Sequence, residues 1–88
     1  MAYLIKTNGA YEERYDLTLE NMQEAVGGFI QIITSYDGKT CFVCNEDGKQ
    51  EGLQKNDEAT RLAHECGALW VHDYLVGDVI MTAADAIE

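Results

Sequence analysis

Ile30-Gln31-Ile32-Ile33-Thr34-Ser35-Tyr36-Asp37-Gly38-Lys39-Thr40-Cys41-Phe42-Val43-Cys44 is the stretch whose reading decides the fold. Two runs rich in β-branched and apolar residues flank Asp37-Gly38. An Asp-Gly or Asn-Gly pair in that setting is a strong hairpin signal, because glycine reaches positive φ without a Cβ clash. A three-residue loop ending in Gly38 sets Ile32 opposite Phe42 and Ile30 opposite Cys44, an apolar face. The same grammar recurs at Thr7-Asn8-Gly9 and at Glu46-Asp47-Gly48. At Asn8-Gly9 a two-residue loop would set Ile5 opposite Glu12, mixing apolar and charged side chains on one face. A three-residue loop ending in Gly9, a type I turn with a bulge, instead sets Ile5 opposite Tyr11 and Met1 opposite Tyr15. The second register is preferred.

Helices fill the spaces between strands. Leu19, Met22 and Val26 recur at helical spacing after Thr18, whose hydroxyl can cap the first exposed amides, and Glu20 suits the positive helix start. Gly27 can take the left-handed conformation that ends a helix. Further on, Asn56 or Asp57 caps a second helix with Ala59, Leu62, Ala63 and Cys66 as its buried stripe, and Gly67 ends it. Leu69-Trp70-Val71 and Tyr74-Leu75-Val76 are apolar but irregular, and Gly77 to Thr82 reads as a closing strand. The expected fold is α+β: a mainly antiparallel sheet of about five or six strands with two short helices packed against it. The chain forms a single domain, 1–88, with residues 83–88 as a frayed tail.

Length and charge bound the function. A chain of 88 residues is one domain that buries only about 60–65% of its unfolded surface, so its core is thin. Six basic and sixteen acidic residues give a formal charge of −10. That balance argues against direct nucleic-acid binding and against anionic membranes, since both need clustered Lys and Arg. The apolar runs are far shorter than the ~20 residues of a membrane span, and the N-terminus shows no charged-then-apolar leader. A soluble, cytoplasmic protein is expected.

Catalytic motifs do not assemble. Cys41 and Cys44 invite a redox or zinc reading, but a spacing of three on a strand sends the two thiols to opposite faces. His64, Cys66 and His72 would complete a nominal ligand set. Yet His64 and Cys66 are about 200° apart on a helix, so buried apolar thiols are preferred and neither metal nor cofactor is expected. Ser35, the only serine, has no Gly-x-Ser-x-Gly context, and Cys66 beside His64 matches no nucleophile pattern. No phosphate-cradling glycine loop is present. The expectation is a protein that is not an enzyme.

Several short pieces stand together in one order: Val26-Gly27-Gly28-Phe29-Ile30, Asn45-Glu46-Asp47-Gly48-Lys49, Gly52-Leu53-Gln54-Lys55-Asn56 and Val76-Gly77-Asp78-Val79-Ile80. Over residues 17–82 that order resembles the bacterial and phage family named domain of unknown function 3846. Gln31 stands where that family tends to carry an acid, and Gln54 where it carries proline, which loosens the rigidity expected of that loop. The resemblance transfers no catalytic residues. It implies a small accessory protein of phages or mobile elements. Each piece also has a structural reading: Gly27-Gly28 ends a helix, Asn45 to Lys49 makes a turn, and Asn56 caps.

Charge is segregated along the chain. Every basic residue precedes Leu62, while Glu65, Asp73, Asp78, Asp85 and Glu88 follow it. This one-sign region either solubilises the chain or contacts a basic host protein. In the second case Trp70, Asp73, Tyr74 and Asp78 form the contact, with the aromatics as anchors. As a core residue Trp70 needs no such role, and the core placement is slightly preferred. The leading expectation is therefore a non-enzymatic module that binds a host protein, with DNA mimicry by spaced carboxylates as one form. The alternative is a small-molecule or nucleotide binder at a homodimer seam, using Asn45, Lys49, Lys55, Asn56 and Arg61. Exposed sheet edges in so small a domain make a homodimer plausible on their own.

Overall fold

The computed structural model describes residues 2–14 and 16–87. Strand β1 (Ala2–Ile5) turns into β2 (Tyr11–Arg14), followed by helix α1 (Leu19–Val26) and the hairpin β3 (Ile30–Thr34) and β4 (Thr40–Asn45). Helix α2 (Asp57–Glu65) leads to β5 (Val79–Ala83). The fold is α+β, with five antiparallel strands in the order β2-β1-β5-β4-β3. The last strand is central. β5 lies between β1 and β4, so it joins two hairpins that are local in sequence.

Strand alternation explains the layers. The row Leu4–Ile80–Val43 pairs across β1, β5 and β4, and with Ala2 and Ile30 it packs against Met22 and Val26 of α1. The other face carries Ile5, Val79, Phe42 and Cys44 against Ala59 and Ala63 of α2 and Leu75. The helices therefore cover opposite faces, which is why Cys41 to Cys44 reads as an unbroken apolar run.

Local chemistry sets the ends of the elements. The Thr18 hydroxyl accepts from the Asn21 amide at 3.1 Å, and Gly27, at φ 82°, donates to the Gln23 carbonyl and closes α1. At the first turn the Gly9 amide donates to the Lys6 carbonyl and Gly9 sits at φ 89°. Ile5 consequently pairs with Tyr11, as the three-residue loop requires; the Met1–Tyr15 pair lies outside the described residues.

The second hairpin corrects the expected register by one residue. Ile33 opposes Phe42, Ile32 opposes Val43 and Gln31 opposes Cys44. The cause is Ser35. Its hydroxyl, rather than its carbonyl, accepts from the Thr40 amide at 3.0 Å and donates to Asp37 at 2.6 Å, holding open a loop one residue longer. No sixth strand forms among the described residues, and the remaining extended contact is a single bridge between Lys55 and Val76. The stretch expected to fray carries the end of β5 at Ala83, a 3₁₀ turn at Ala84–Ala86 and Ile87 packed against the α1 side of the core. Among the described residues no helix is long and apolar enough to cross a membrane.

Candidate interaction surface

The segment between α2 and β5 is pinned along both flanks. Gly67, at φ 73°, closes α2 against Tyr36: a Cβ built there would stand 2.9 Å from the Tyr36 Cβ. The Tyr36 amide donates to the Cys66 carbonyl at 3.0 Å, tying this segment to the β3–β4 turn. Further along, the Lys49 ammonium binds the Asp73 carboxylate, and His64 Nε2 meets the Asp73 carbonyl at 2.8 Å. Lys49 and the Tyr74 amide, which donates to Asp73 at 2.8 Å, hold the Asp73 carboxyl below its usual range. Leu75 donates its amide to the Thr60 hydroxyl at 2.9 Å and accepts from the Asn56 amide at 2.8 Å.

Between these anchors the chain turns outward. Asp73 donates its amide to the Trp70 carbonyl, and Trp70 is 86% exposed, with Val71 beside it at 77%. The core placement expected for Trp70 is thus corrected: Leu69 and Ala68 turn into the core, and the indole does not. Tyr36, across the Gly67 contact, is 93% exposed. Tyr74 is half-covered by cations, with the Lys49 ammonium 4.4 Å and the Lys55 ammonium 5.6 Å from its ring centre. Of the expected contact set, Trp70, Asp73 and Tyr74 come together. Asp78 does not; its carboxylate accepts from the Thr7 amide at 3.2 Å, beside the first hairpin turn.

The second expected set separates further. Asn56 is fully buried and spent internally: its amide nitrogen donates to the carbonyls of Ile5 and Gly77 at 2.8 and 2.9 Å, and its oxygen accepts from the Ala59 amide. Asn45 is likewise committed, donating to the Val26 carbonyl and to Glu51 and accepting from the Asp47 amide. Arg61 binds Glu58 and Glu65 on its own helix, and Glu58 receives the Tyr11 hydroxyl. These three bonds draw Arg61 toward β2, while Lys49 and Lys55 gather at Tyr74.

The sequence pieces that carry the family resemblance meet around the same two asparagines. A Cβ at Gly28 would stand 3.0 Å from Asn45 Nδ2, one at Gly48 2.7 Å from Val76, and one at Gly77 2.9 Å from Leu53. Their chemistry is close packing and backbone capping, not an open site. The thiols also sit inside the architecture. Cys44 faces α2, Cys41 the α1 side, and burial pushes the Cys44 thiol up to about 11. No group of three or more His, Cys, Asp or Glu able to hold a metal occurs among the described residues.

Sequence reasoning missed Tyr36 and Val71 as surface aromatic and aliphatic groups. For Tyr36 a signal existed, since the second position of a Ser-Tyr-Asp-Gly turn points to solvent. Electrostatics frame the whole surface: Lys6, Arg14, Lys49, Lys55 and Arg61 are each held by a carboxylate. Most of the outward charge is therefore negative.

Fold and surface together define a small α+β scaffold, a sheet sandwiched between two helices, that displays aromatic side chains on an anchored loop. The chain belongs to the family described as Domain of unknown function (DUF3846), whose model matches residues 1–88 and so extends past the 17–82 stretch on both sides. No curated protein and no solved structure matches it.

Proposed function

We propose that this chain is a non-enzymatic binding module that docks onto a basic surface of a host-cell protein through the loop bearing Trp70. The observation that carries this reading is the exposed Trp70 and Val71 on a loop tied down on both flanks, before them by the Tyr36 amide at Cys66 and after them by Lys49, His64 and Thr60 at Asp73 and Leu75. A free indole in water has no folding role, whereas on a pre-ordered loop it meets a partner with little further loss of entropy. The surrounding charge selects the partner's sign. With a net charge of −10 and five of its six cations already held by carboxylates, the molecule attracts basic surfaces and repels acidic ones. In a DNA-mimicking form of this activity, exposed carboxylates stand in for phosphates in a basic groove. The small accessory proteins of phages and mobile elements that the family resembles suit such a role.

Affinity capture from host lysate tests the reading. Wild-type protein retains a basic protein at low salt and releases it at high salt, and Trp70→Ala retains much less of it. Equal recovery on wild type and variant, or a complex indifferent to salt, contradicts the proposal.

A further inference from the structure

The two outer strands of the sheet are finished differently. β2 sets Glu12, Glu13 and Arg14 along its length, the usual protection of an edge against pairing. β3 reads Ile30-Gln31-Ile32-Ile33-Thr34, with no charge and no proline. Its free backbone groups can be assigned. The Phe29 carbonyl accepts from the Glu46 amide and the Ser35 amide donates to the Thr40 carbonyl, both at 2.8 Å. Alternation along an antiparallel ladder then turns residues 29, 31, 33 and 35 toward β4, and Ile30, Ile32 and Thr34 outward. Beside this edge, on the α1 side, runs a groove of about 580 Å³ lined by Leu17, Leu19, Met22, Ile32 and Ile87, with Asp16 at its wall. Leu19 is 57% exposed and Ile32 44%.

We propose that β3 is the seam of a homodimer, in which a second copy adds its own β3 antiparallel about a two-fold axis at Ile32. In that register Ile32 faces Ile32 and Ile30 faces Thr34, so each outward donor meets an outward acceptor. The case for a second copy is electrostatic. Two molecules of net charge −10 repel through their acidic surfaces. Strand β3 itself carries no charge, so pairing it with its copy sets no carboxylate of one strand against one of the other, and Asp16 is the acid among the groove's lining residues. A foreign basic strand would gain nothing from that neutrality and would be drawn to the acidic faces instead. The two-fold also places both grooves on the same side of the joined sheet, where Ile32 and Leu19 of each copy lose contact with water.

Sedimentation velocity and light scattering on the full chain, from micromolar to submillimolar concentration, test the seam. The wild type runs at twice the monomer mass, and added salt strengthens the dimer by screening the mutual repulsion. Salt acts in the opposite sense on a basic partner at the Trp70 loop, so the two proposals fail separately. Ile32→Lys and Thr34→Lys, each placing a charge at the axis or beside it, run as monomers with unchanged circular dichroism. Glu13→Lys, on the opposite edge, remains dimeric. If Ile32→Lys does not fold, Thr34→Lys decides alone. A wild type that stays monomeric throughout overturns the proposal, as does a dimer indifferent to the foldable lysine variants or weakened by salt. Uptake of an unrelated extended peptide at β3 by a monomeric wild type overturns it too, by giving the edge to a different occupant.

Discussion

Asn56 shows how much of this fold rests on single polar side chains. Its caps were readable, since an asparagine ahead of an acidic helix start is a common N-terminus. Its reach to the Ile5 and Gly77 carbonyls, residues 51 and 21 positions away, was not, because nothing local encodes a long-range contact. Asn56→Ala leaves two buried carbonyls and one helix amide unanswered and is expected to cost about 3 kcal/mol in chemical denaturation. Asn56→Asp keeps the acceptor for Ala59 but turns a carboxylate oxygen on the two carbonyls, so it costs at least as much. A small effect of both variants would contradict the assigned bonds. Cys44 offers a second residue-scale check. A thiol raised to about 11 from an ordinary 9 holds about a hundredfold less thiolate. Alkylation at mildly alkaline pH, mapped by mass spectrometry, should therefore leave Cys44 unlabelled until denaturant is added. Labelling in the native state at the rate of a free thiol would refute its burial.

At the scale of elements, the sequence was most informative where turn chemistry acts alone. Asn8-Gly9 set the first register correctly because the Lys6 amide reaches the Ala10 carbonyl directly after the bulge glycine. The second turn looked equivalent but was not: Ser35 is two residues before Asp37, and their side-chain bond opens the loop. A serine or aspartate at that spacing is the signal that went unread. The apolar run in β4 likewise held the evidence for helices on both faces, since a strand covered on one side alternates. The α2–β5 loop gives a prediction in pH. The carboxyl of Asp73 is held below its usual range mainly by its hydrogen bond with Lys49. A depressed carboxyl contributes stability that is present above its ordinary value, about 4, and lost as pH falls through the lowered one. The stability difference between wild type and Asp73→Asn, followed by thermal midpoint, should be largest near neutrality and shrink below about pH 4. A difference that is constant with pH would mean the pair does not hold the loop.

For the whole molecule, the architecture and the exposed surface follow different rules. Strands and helices announce themselves by period, and the closing strand could be read over Gly77 to Thr82 against the observed Val79–Ala83, although its place at the centre of the sheet could not. Leu69-Trp70-Val71 has no period, so its apolar composition suggested burial. Composition cannot tell an indole that fills a core from one left outside when the connecting loop is tied by Lys49, His64 and Thr60. The acidic excess was plain from the start, but its consequence depends on which cations are already paired. The same whole-molecule logic predicts that Trp70→Ala leaves unfolding free energy within about 0.5 kcal/mol of wild type, because the side chain buries little.

The most direct measurement is a calorimetric titration of the captured partner with wild type and Trp70→Ala across a salt series. The dissociation constant should rise with salt and, at every salt, the variant should bind at least about thirtyfold more weakly, the loss expected of an anchoring aromatic. Equal affinities for the two proteins, or an affinity flat in salt, would contradict the proposed function.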